Sequence, residues 1–87
     1  MASFGDAVGN VYVTTNATLV YKGDGLREVL SIYNNGTTTV FLGSGTAVTV
    51  ANGYPVPAAG ECHWLGISDV YGIVAGGSAD VRYHNVA

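Results

Sequence analysis

Charge is what this chain has least of. Only nine of its 87 side chains are formally ionised at neutral pH, three basic against six acidic, for a net charge of -3. Lys22, Arg27 and Arg82 are too few to neutralise a row of phosphates, so no nucleic-acid partner is expected. Cys62 is the single cysteine, which excludes an intrachain disulfide and with it the stapled secreted scaffolds. No apolar run approaches the roughly 18 residues of a membrane-spanning helix, and residues 1–8 have neither the basic start nor the apolar stretch of a secretory leader. Neither membrane insertion nor export by the general secretory route is expected. Helix is scarce too: no window of eleven residues repeats apolar groups at a helical period, and glycine recurs too often for a long helix.

What is present is thirteen glycines, thirteen valines and a hydrophobic fraction of 48%. That mixture supplies a real core and breaks the chain into short β-branched runs separated by turns. A single domain is implied, one that as a folded monomer exposes roughly 4,800 Å² and is small enough to gain from a neighbouring subunit.

Residues 1–9 are small and unpatterned apart from Phe4, and read as an N-terminal arm; residues 10–87 read as one β domain. Strands are predicted over 10–14, 18–21, 27–33, 37–42, 47–51, 61–67, 70–74 and 79–83. In the third run Leu30 and Ile32 face one way and Val29, Ser31 and Tyr33 the other. Asn34-Asn35-Gly36 is a turn signal, since Asn and Gly tolerate positive φ, and predicts a two-stranded hairpin over 27–43. Asn52-Gly53 marks a second turn. Pro55 and Pro57 make 54–60 an irregular edge segment, because proline cannot donate to a ladder. Turn residues every eight to twelve positions give the fold class: all-β, a compact antiparallel sandwich or barrel of about eight short strands.

Reactive chemistry is thin. Cys62 and His63 are consecutive, so in a strand they point to opposite faces, and with His84 they fall short of a zinc ligand set. Ser31 and Ser68 carry no nucleophile-elbow pattern, Ser3, Ser44 and Ser78 lie in arm or turn segments, and no glycine-rich loop leads into a lysine. Six acids could supply a carboxylate pair, but a small sandwich offers little depth for a cleft. The plain account makes Cys62 a small core residue and the histidines partly exposed, with no catalytic residue, metal site or cofactor. The sequons at Asn16 and Asn35 are read as coincidences of a threonine-rich chain. Aromatics are spread along nearly every strand, which fits core and interface packing better than one ligand platform. The candidate interface residues are Phe4, Tyr12, Tyr21, Tyr33, Tyr54, Trp64 and Tyr83.

An Arg-x-x-Leu-x-Ile-x-Asn stretch at 27–34 leads through Gly36 into Val40-Phe41-Leu42-Gly43. With 45–49, 52–61, 69–77 and 79–82, these segments cover about two thirds of the chain. The whole resembles small β-rich structural proteins of tailed bacteriophages. The resemblance implies a capsid-decorating, head-fibre or other virion accessory component, assembled in the host cytoplasm and lying on the particle against the major capsid or another virion protein. It further implies a homo-oligomer, with a trimer favoured, and no enzymatic role. A carbohydrate- or receptor-binding module of a phage fibre is the alternative.

Overall fold

A computed structural model describes residues 7–23, 25, 29–65 and 68–86. Its strands are β1 Ala7–Val13, β2 Thr18–Tyr21, β3 Val29–Asn34, β4 Val40–Gly43, β5 Tyr54–Val56, β6 Glu61–Leu65, β7 Val70–Val74 and β8 Ala79–Val86. They form two four-stranded antiparallel sheets, ordered β1-β8-β3-β6 and β2-β7-β4-β5. This is the strand order of an eight-stranded jelly roll, a sandwich of two Greek keys. The all-β antiparallel class expected from the turn spacing is therefore observed. The accessible surface, 4625 Å², matches what the chain length implies for a monomer.

The core lies between the sheets. Inward positions alternate along β3, β4, β7 and β8, so Leu30 and Ile32 of β3 and Val81 of β8 meet Val40 and Leu42 of β4 and Val70 and Val74 of β7, all essentially buried. In β2 the alternation breaks. Leu19 pairs with Tyr71 and Tyr21 with Val70, a β-bulge that leaves Val20 unopposed and turns both Val20 and Tyr21 inward.

The hairpin expected over 27–43 does not form. β3 pairs with β6 and β8 in one sheet, while β4 pairs with β5 and β7 in the other. The reason lies in Asn34, whose side chain is 1% exposed. Its amide donates to the carbonyls of Thr38 (2.8 Å) and Val56 (2.9 Å), and its Oδ1 accepts the N–H of Gly36 (2.9 Å). Its backbone N–H donates to the Gly60 carbonyl and its carbonyl accepts the Ala59 N–H, both at 2.9 Å. Asn34 is thus a latch at the end of β3 that leads the chain across to the second sheet. Neither Asn34, Asn35 nor Gly36 takes the positive φ a tight hairpin requires; among described non-glycine residues only Ala59 does, at 62°.

The strand expected over 47–51 is also absent, and a knot of local hydrogen bonds explains it. Asn52 Oδ1 accepts the Thr49 N–H, Thr49 Oγ1 accepts the N–H groups of Ala51 and Asn52, and the Asn52 amide donates to the Ala47 carbonyl. These bonds compete with a ladder and win. The resulting loop folds Val48 onto the outer side of Gly43, where a Cβ would sit 2.9 Å from Val48. Pro55 lies on an edge as expected, but 54–60 is not irregular throughout: Tyr54–Val56 forms β5, paired with β4, because an edge strand has one unpaired side on which a missing proline N–H is tolerated. Residues 7–9, assigned to the arm from sequence, belong to β1; the rest of the arm lies outside the described residues.

Candidate functional site

Each sheet has an outer face, and the two differ. On the first sheet the register aligns Val8, His84, Ser31 and His63 in one row and Asn10, Arg82, Tyr33 and Glu61 in the next. A shallow depression of about 250 Å³ opens here, lined by Val8, Ser31, Tyr33, Glu61, Arg82, Tyr83 and His84. Among the lining residues the register sets Tyr33 between Arg82 and Glu61.

Arg82 is held in place from below. Its Nη2 and Nε donate to Asp80 Oδ2 at 2.9 and 3.3 Å, while Asn35 and Asn10 donate to the two oxygens of the same carboxylate at 3.2 Å. Bonds from Arg82 and then Asn35 hold the Asp80 carboxyl below its ordinary range, and the same contact raises the Arg82 guanidinium. The network joins β1, β8 and the 35–39 crossover, so it orders one rim of the face. Asp80, Arg82 and His84 fall at alternate positions of β8. That spacing was visible in the sequence, although none of the three was singled out as an interface residue.

Ser31 sits in register between His84 and His63. His63 approaches Glu61 at 4.0 Å with side chains 70% and 55% exposed, a solvated pair. β3 is paired on both sides, so its backbone amides are committed to ladders and do not form an oxyanion hole beside Ser31. Cys62 and His63 point to opposite faces as expected. Cys62 packs against the core, and burial, followed by the nearby Glu61, pushes its thiol up from the usual value. Among the described residues no group of three or more His, Cys, Asp or Glu side chains is placed to hold a metal ion.

The second sheet's outer face is apolar. Leu19 is opposite Tyr71, and Phe41 is flanked by Ile73 and Pro55. The 44–53 loop covers part of it, with Val48 on Gly43 and Gly53 against the Phe41 Cβ.

The structure separates the candidate interface aromatics. Tyr12 and Tyr33 stand exposed on the first sheet's outer face, at 63% and 38%. Tyr21 and Tyr83 pack inside, edge to face with centroids 5.5 Å apart, and Tyr21 Oη accepts from the Asn85 amide at 2.7 Å. They are core residues because the β2 bulge and the inward phase of β8 turn them in. Tyr54 and Trp64 make a second edge-to-face pair, 6.2 Å between centroids, bridging edge strands β5 and β6; Tyr54 is exposed and Trp64 is packed against the core. Phe4 lies outside the described residues. No protein-family model, curated protein or solved structure matches the chain.

Proposed function

We propose that this chain is a structural, non-catalytic component of a tailed-bacteriophage particle. It is a rigid block that sits on the virion surface as a homo-oligomer, against the major capsid protein or another virion protein. The observation that carries this reading is where, among the described residues, the exposed apolar side chains lie: on two broad sheet faces, with Val8, Tyr12, Val29 and Tyr33 on one and Leu19 on the other. The jelly-roll strand order is an architecture used by viral capsid domains, a fold-level analogy that supports the same reading. Quantitative mass spectrometry of purified particles tests it. A fixed ratio to the major shell protein, with a solution mass above 8.9 kDa, is the expected result. Absence from particles, or substrate turnover abolished by changing Ser31, overturns it.

The depression on the first sheet favours a second reading, a carbohydrate- or receptor-binding module. An aromatic ring flanked by a donor and an acceptor suits a neutral sugar, whose apolar face stacks while its hydroxyls bond either side. Trp64 packs against the core, away from this depression, so NMR shifts of Tyr33 and Arg82 during a saccharide titration are the appropriate readout. Saturable shifts confined to those residues favour binding.

A further inference from the structure

Four strand edges are left by the two sheets, and three carry a device that discourages pairing with another chain. β2 is four residues long, is bulged and is followed by Lys22. β5 is three residues long with Pro55 inside it and Pro57 just after it. β6 carries Glu61 and His63 on its exposed face. β1 is neither short, bulged nor interrupted by proline, and carries a charge only outside its bounds, at the preceding Asp6. Its seven residues contain no charge and no proline, and they pair one to one with β8 from Ala7 to Val13 without a bulge. Its inner side is complete, since Gly9 is opposite Tyr83, whose ring fills the space where a side chain would be. Among the described residues no strand pairs with its second edge.

We propose that β1 is the contact by which two copies of this chain join, edge to edge and antiparallel, about a twofold axis that passes between their two Asn10 residues. The inference rests on the homo-oligomer in the proposed function and gives it a geometry. Two observations select a second copy as the occupant. First, the strand is self-complementary in the register that pairs all seven residues. Val8 meets Tyr12 of the partner subunit, Asn10 meets Asn10 of the partner subunit, and no like charges oppose each other. Second, among the described residues Val8 and Tyr12 are the two most exposed large apolar side chains, at 74% and 63%, and both lie on this strand's outer side. A twofold edge contact lets each cover the other. The two four-stranded sheets become one continuous sheet, and the backbone groups of β1 that point away from β8 gain partners. Where the phage resemblance implies three subunits, this geometry gives an even number.

Sedimentation equilibrium on the full chain and three variants decides it. The unaltered chain is expected at twice 8.9 kDa. V8K/Y12K sets lysine against lysine across the axis and raises the dimer dissociation constant at least tenfold. V8K/Y12E sets lysine against glutamate twice and restores pairing. As an independent check of register, N10C in a C62S background cross-links into a disulfide dimer on oxidation, because opposite Cα atoms of an antiparallel pair lie about 4.5–5.5 Å apart, within disulfide reach. A trimer overturns the edge contact and leaves the homo-oligomeric virion reading intact. A monomer at high concentration overturns both the edge contact and the oligomer. A dimer indifferent to the charge variants overturns the β1 contact and leaves the homo-oligomer intact.

Discussion

Replacing Asn34 by alanine removes the latch between the sheets, and the loss can be worked out bond by bond. The Val56 carbonyl accepts from Asn34 in a buried setting, and leaving such a group unpaired costs about 1–3 kcal/mol. The bonds to the Thr38 carbonyl and from the Gly36 N–H are partly buried, so water replaces them in part, at about 0.5–1.5 kcal/mol each. The sum is about 2–6 kcal/mol, centred near 4, a large share of the total stability of roughly 5–15 kcal/mol usual for a domain. With a urea m-value of about 1 kcal/mol/M, a loss of about 4 kcal/mol lowers the unfolding midpoint by about 4 M and the melting temperature by about 16–32 °C. Asn35→Ala is the matched control. Its side chain makes one exposed bond, to Asp80 at 3.2 Å, and its removal costs less than about 1 kcal/mol. Urea titration followed by far-ultraviolet circular dichroism measures both. A loss below about 1 kcal/mol for Asn34→Ala would refute the argument, since the freed backbone groups would then have found other partners at no cost.

Three further outcomes are expected. Ala59→Gly raises the melting temperature by a few degrees, because release of the left-handed backbone at φ 62° is worth about 1–2 kcal/mol against about 0.5–1 kcal/mol of added chain entropy; a lower melting temperature contradicts this. The Asp80 carboxyl, followed by NMR, titrates below the ordinary carboxylate range, and Arg82→Ala moves it upward. Its folded-state value is depressed, so its contribution to stability is fully present above the unfolded value near pH 4 and is lost as pH falls through the folded one; an unmoved midpoint in Arg82→Ala would remove the guanidinium as the cause. Iodoacetamide alkylates Cys62 more slowly in the native protein than in the urea-unfolded chain at pH 8, and the gap narrows as pH rises, since burial suppresses the thiolate; equal rates would show that the thiol is not shielded.

Local alternation sets the phase of most strands, while it puts one at 47–51 where the chain instead forms Tyr54–Val56. Leu30 and Ile32 inward with Val29, Ser31 and Tyr33 outward, Val40 with Leu42, Val81 with Tyr83, and Pro55 on an edge all follow from alternation and from the missing proline N–H. Residues 27–43 show where alternation stops: it gives the face of a side chain but not the identity of the neighbouring strand. A five-residue segment, 35–39, is long enough to cross the roughly 10 Å between sheets, so the same pattern serves a hairpin or a corner, and the buried Asn34 amide chooses the corner. Val48 and Val50 alternate like a strand, yet hydrogen bonds between Thr49 and Asn52 take the backbone elsewhere.

Turn spacing and β-branched composition by themselves pointed to an all-β antiparallel fold of about eight short strands, a sandwich or a barrel, because alternation and turn geometry act over a few residues. Which strands lie side by side, which tyrosines are core and which face solvent, and that Arg82, Tyr33 and Glu61 share one row were decided only when distant segments met. Pairing across a sandwich depends on contacts between residues dozens of positions apart, and no local pattern encodes them.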